Sequence, residues 1–120
     1  MNKIHFSIIY AVLRQETSEK ISIGMIIVDD TGIDIRYSES KLKALRYLFP
    51  HNDVDFINRA IRALPLNNSI SSTKDIEYLS RYSNNLLNIS PLETIDLRPT
   101  DSNKKWLFDN YVESLVEVWD

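Results

Sequence analysis

The side chains in this sequence that could do chemistry are few, and they exclude more than they offer. His5 and His51 are its two histidines, and there is no cysteine. A zinc site would therefore need both histidines and distant carboxylates, without the paired spacing that sets two ligands on one helix face. Nucleophilic catalysis needs a Ser or Thr beside a base, and neither histidine is placed in sequence to supply one. With two glycines in 120 residues there is no G-x-S-x-G elbow, no Walker A loop and no dinucleotide fingerprint. Glycine does backbone work in those motifs that other residues do badly. We therefore expect no catalytic residue, no bound cofactor and no metal ligand.

Three clusters merit weighing against the plain alternative of a solvated surface. Asp29, Asp30 and Asp34 gather near a turn and would attract a cation, but the order of a calcium loop is missing. Lys41, Lys43, Arg46, Arg59 and Arg62 are the densest basic group, with Lys43/Arg46 and Arg59/Arg62 each spaced i, i+3 on a helix. A nucleic-acid role for them asks for interleaved exposed aromatics, and the nearest are Tyr47 and Phe49, which suit a core equally well. Arg81, Asn84 and Asn85 could line a polar pocket for a carboxylate-dependent hydrolase. Trp106 falls off the apolar stripe of the last helix; it either serves a protein contact or packs on Leu97-Arg98-Pro99.

The elements that must position these residues follow from the hydrophobic pattern. In the run Ile4 to Arg14, Ile4, Phe6, Ile8, Tyr10 and Val12 alternate with His5, Ser7, Ile9, Ala11 and Leu13, giving a strand with both faces apolar at its far end. In the run Ile21 to Val28, Ile21, Ile23, Met25 and Ile27 share a face. Gly24 in mid-strand signals a bulge or the close approach of another backbone. Asp29-Asp30-Thr31-Gly32 reads as a turn, and Ile33, Ile35 and Tyr37 bring a third strand back.

Helical spacing then begins after Ser38 or Ser40 as cap, with Leu42, Leu45, Leu48 and Phe49 inward. Pro50-His51-Asn52-Asp53 stops that helix and Asp53 caps the next, whose stripe is Val54, Ile57, Ala60, Ile61 and Leu64. Asn67 to Thr73 reads as a loop, and Ser72 with Asp75 opens a helix carrying Ile76, Leu79 and Tyr82. Two short strand-like pieces follow, divided by Pro91. Thr100 or Asp101 caps the last helix, with Leu107, Phe108, Tyr111, Val112, Leu115, Val116 and Trp119 apolar. The expectation is one α+β domain over residues 1–120: an N-terminal three-stranded antiparallel meander plus a short C-terminal strand pair, packed against about four helices.

The order of residues also resembles a family of small bacterial proteins, domain of unknown function 3037 (DUF3037). The resemblance rests on Glu19-Lys20-Ile21-Ser22-Ile23-Gly24 running into aliphatics, where the family's Asn is replaced by Ser22. It continues in the Leu-rich segment Leu42 to Pro50, in Arg81 with Leu86 to Pro91, and in Leu107 to Leu115. The family has no established activity. The resemblance implies an accessory protein encoded beside a HipA-like serine/threonine kinase, with Glu19, Gly24 and Arg81 as motif positions and Arg81 a partner for a carboxylate such as Glu19.

Charge and composition argue against a nucleic-acid binder and a membrane span, and the uneven charge balance reads as solvated helix faces. The formal charge is −3, and no apolar run approaches the roughly 20 residues of a membrane span. Residues 1–74 carry ten Lys/Arg against eight Asp/Glu, and residues 75–120 carry four against nine. Met1-Asn2-Lys3 leads straight into strand-like residues with no apolar leader, so a cytoplasmic location is expected. The function expected is a non-enzymatic interaction module, binding a protein partner through a sheet edge or the C-terminal helix. The alternatives are a nucleic-acid-associated protein using helices 41–62 and the small hydrolase.

Overall fold

A computed structural model of the chain describes residues 3–14, 19–30, 32–63 and 87–113. Its class is α+β, an antiparallel sheet with helices on both faces. Strands β1 (Ile4–Arg14), β2 (Glu19–Asp29) and β3 (Gly32–Tyr37) pair in chain order, each antiparallel to the last. Gly32 closes the β2–β3 connection at φ 140°, a conformation that glycine takes without steric cost.

The late strands differ from the expected pair. β4 (Leu87–Ile89) and β5 (Glu93–Ile95) do not pair with each other; they lie end to end along the free side of β1. The cause is the Ser90-Pro91 interruption, since proline cannot donate to a ladder. Ser90 bridges the gap: its N–H donates to the Ile8 carbonyl at 2.9 Å, and its Oγ accepts from the Ile8 N–H at 2.8 Å. β1 is thereby central, as its two apolar faces require.

The facing of β2 also differs from simple alternation. Ile9 pairs with Gly24 but Tyr10 pairs with Ser22, so Ile23 is an extra residue on β2. Such a bulge inverts the alternation beyond it. Ile23 joins Ile26 in one core with Ile9, Ala11 and Ile89, while Met25 and Ile27 enter the other with Ile4, Phe6 and Ile8.

Helices α1 (Glu39–Ala44) and α2 (His51–Ala63) cover the first core through Leu42, Leu45, Val54, Ile57 and Ile61. Ser38 caps α1, its Oγ accepting from the Lys41 N–H at 3.2 Å. The chain then tightens to a 3-10 turn at Leu45–Tyr47, so the expected stripe fails at its end: Leu48 is exposed and only Phe49 reaches the core. Asp53 lies inside the first turn of α2 and does not cap it; the Pro50 carbonyl accepts from the N–H groups of Asp53 and Val54.

Helix α3 (Asp101–Phe108) covers the second core and is capped by Thr100, whose Oγ1 accepts from Asn103 N–H at 3.2 Å. It widens into a π-helical turn at Asp109–Glu113. That widening puts Leu107 and Val112, five residues apart, in the same core. The expected helix at residues 72–83 and the loop before it lie outside the described residues.

Candidate functional site

The two features expected to bind a partner meet in one place. β3 pairs with β2 alone among the described residues and so forms a sheet edge. Beside its C-terminal end runs α3, and together they frame an open groove of about 760 Å³. Arg36, Tyr37 and Glu39 line one side; Asp101, Lys105, Phe108, Asp109 and Glu113 line the other. The Ser38 N–H bonds back to the Ile23 carbonyl at 2.8 Å, and the Arg36 carbonyl faces Gly24. By the alternation of an antiparallel ladder, the N–H and C=O of Ile35 and Tyr37 then point away from β2.

The groove is acidic on balance and apolar at Phe108. Lys105 pairs with Asp109 at 2.6 Å one helical turn away, and Arg36 with Asp34 at 2.6 Å on the same face of β3. Besides the packing of Leu107 in the second core, an ion pair ties α3 to the sheet. The Lys104 Nζ lies 2.5 Å from Oδ2 of Asp29, with the two side chains 12% and 1% exposed. A carboxylate that buried tolerates its charge through a close cation.

Lys41 is a third structural charge, and its place corrects its grouping with the surface basics. It is buried, and its Nζ donates to both the carbonyl and the Oγ of Ser22 at 3.0 Å. The β3 ladder ends at Tyr37, so the amine takes up a β2 carbonyl beyond the reach of β3. Burial holds the Lys41 amine below the ordinary lysine value, opposed in part by the charge of Glu113. The unfolded chain keeps that proton up to a pH of about 10.4, whereas the folded chain releases it earlier. Over that alkaline window the unfolded state binds more protons, so stability contributed here rises with pH. The urea midpoint of the wild type should climb relative to that of Lys41→Met across this window; a constant difference would contradict the burial.

A second cleft, of about 360 Å³, lies between α1 and α2, with Leu42 and Val54 at its floor and Lys43, Arg46, His51, Asn58 and Arg62 around it. Three of the expected basic residues, Lys43, Arg46 and Arg62, meet here. Arg59 stands exposed outside the lining, its Nε donating to the Asp55 carbonyl at 3.4 Å. Arg62 is clamped by two bonds to Glu39 of 3.0 and 2.8 Å, which hold the Glu39 carboxyl below the usual range and raise Arg62. Tyr47, outside the lining, is 81% exposed, whereas Phe49 packs inward.

Other expected positions separate. Gly24 admits the close backbone approach foreseen for it: a Cβ there would sit 2.8 Å from the Arg36 carbonyl oxygen. Glu19 is exposed at the start of β2, opposite Arg14. Arg81, Asn84 and Asn85 lie outside the described residues, and so does any Glu19–Arg81 pairing. Trp106 is 50% exposed and is not part of either lining. His5 bonds Thr94 through Nδ1 at 2.8 Å, and His51 lies 3.5 Å from Asp55. Asp29 and Asp34 turn to Lys104 and Arg36 instead of converging on a cation, and the described residues hold no group able to bind a metal.

Sequence reasoning missed the groove residues Asp101, Lys105, Phe108 and Asp109. Their spacing of four, three and one places them on one face of a helix, a signal present in the sequence. None of the described helices is long and apolar enough to cross a membrane. Compared with known proteins, the chain matches no family model, no curated protein and no solved structure.

Proposed function

We propose that this chain is a non-enzymatic protein-interaction module of the cytoplasm, and that its partner presents an extended, basic segment to the groove between β3 and α3. The observation that carries this reading is the coincidence of an open strand edge with a helix-lined groove. An extended segment added to a sheet edge gains main-chain hydrogen bonds, and the groove beside it selects side chains. Four carboxylates line that groove against two cations, which favours Lys or Arg on the incoming strand. Phe108 supplies an apolar contact in its lining.

The resemblance to the domain of unknown function 3037 family belongs to this reading, and it makes a HipA-like kinase the first partner to try. Gly24 would then be kept because it allows β3 to sit close to β2, which sets the edge in place. The nucleic-acid alternative draws on a different surface, the α1–α2 cleft, and is argued separately below.

The test is recovery of the tagged full-length protein from its native cells, comparing wild type with Asp101→Asn/Asp109→Asn. The wild type should bring down one partner in near-equal amount. The variant should bring down at least about tenfold less, equivalent to about 1.4 kcal/mol of binding. Equal recovery by both, with melting temperatures matched, would refute the groove as the binding site.

A further inference from the structure

The α1–α2 cleft has features that the protein-binding reading leaves unused. Lys43 and Arg46 stand on one wall, both exposed, and neither forms an ion pair among the described residues. Arg62 stands on the other wall, already fixed in place by Glu39 and with its guanidinium 5.3 Å from the centre of the Tyr37 ring. Three cations are thus presented along one cleft; Lys43 feels the Glu39 carboxylate without pairing with it, and Arg46 faces no carboxylate among the residues that line the cleft. Tyr47 follows Arg46 just outside the lining; its ring is 81% exposed, with the Arg46 guanidinium 5.6 Å from its centre.

Cations that follow a backbone and an exposed ring that takes a base face are the two parts of a single-strand binding surface. We propose that this cleft binds single-stranded nucleic acid, with Lys43, Arg46 and Arg62 on successive phosphates and Tyr47 stacking a base. A simple anion would leave Tyr47 without a role, and an acidic peptide would meet the cations but offer no planar face to the ring. A duplex keeps its base faces stacked internally, so the exposed ring selects the single strand. The lining of this cleft shares no residue with that of the β3–α3 groove; the two adjoin where Arg62 holds Glu39 and lies over Tyr37, so the variants below change Lys43, Arg46 and Tyr47 and leave that contact in place.

The experiment is fluorescence anisotropy of the full chain with labelled oligouridylate and oligothymidylate at low and rising salt. Binding should weaken with salt, with a log–log slope of about −1.4 for two phosphates and about −2 for three. Lys43→Glu/Arg46→Glu should weaken binding at least tenfold and flatten the slope. Tyr47→Ala should weaken it several-fold while leaving the slope unchanged, a separation that a purely electrostatic patch would not give. Asp101→Asn/Asp109→Asn should bind as the wild type does. No binding at low salt would overturn the proposal, as would unchanged affinity in the Lys43/Arg46 variant. Displacement by inorganic phosphate or polyglutamate at the same concentration as by oligonucleotide would also overturn it.

Discussion

Gly24→Ala should destabilise the fold by about 2 kcal/mol, the scale of overpacking in a filled interior, and Gly24→Val by more. The new Cβ would lie 2.8 Å from the Arg36 carbonyl oxygen, a backbone atom that moves only if β3 moves. The other two near atoms, Cδ1 of Ile61 at 3.1 Å and Cδ1 of Ile9 at 3.3 Å, belong to side-chain ends that can turn aside. The cost is therefore set by the strand, and it reaches the site, because the displaced strand is the edge that frames the groove. For a chain of this size the melting temperature should drop by roughly 10 °C. An alanine variant within about 0.5 kcal/mol of wild type would show that β3 does not approach β2 this closely.

Lys104→Ala should cost still more, about 3 kcal/mol, because removing the cation leaves the charge of a buried carboxylate without its ammonium partner. Asp29 is 1% exposed in its side chain, and the 12% exposure of Lys104 gives water little access to screen the pair. The pair ties α3 to the end of β2, so the same change should release the helix that forms one wall of the groove. Chemical denaturation measures the first effect. The double variant Asp29→Leu/Lys104→Met separates charge from tether: it should recover at least half of the loss, since apolar pairs of similar volume replace buried ion pairs well. A double variant as unstable as Lys104→Ala would mean that the charge itself is not the issue.

The sequence made some of this legible and hid the rest for physical reasons. Alternation located β1, β2 and β3, and the double apolar face of β1 fits its central, doubly covered place. Gly24 in mid-strand signals a bulge or a close approach, and the structure has both side by side. Alternation cannot show which residue bulges, so it puts Ile21 and Ile23 on the face that Met25 and Ile27 occupy, whereas both pack in the other core. A run of aliphatics reads alike on either side, and only pairing with β1 breaks the tie.

The ends of elements were less legible because tertiary contacts decide them. Leu48 has the spacing of a core residue, yet the 3-10 turn before it rotates it into solvent. The π-helical turn brings Leu107 and Val112 to one core at a spacing that an α-helical stripe does not anticipate. Lys41 looked like a member of a basic face, and nothing local signals that a β2 carbonyl beyond the reach of β3 would claim it. The groove itself joins residues more than sixty positions apart, Arg36 and Tyr37 with Asp101 to Glu113. One side's helical spacing was readable; that the other side would be an open strand edge was not.

Amide hydrogen exchange of the protein, free and bound to the partner it recovers, tests the central claim most directly. If an extended segment adds to the edge, exchange should slow in β3, at Ile35 and Tyr37 above all, and along residues 101–113. Protection confined to other surfaces, with the β3 amides exchanging as fast as in the free protein, would contradict the account.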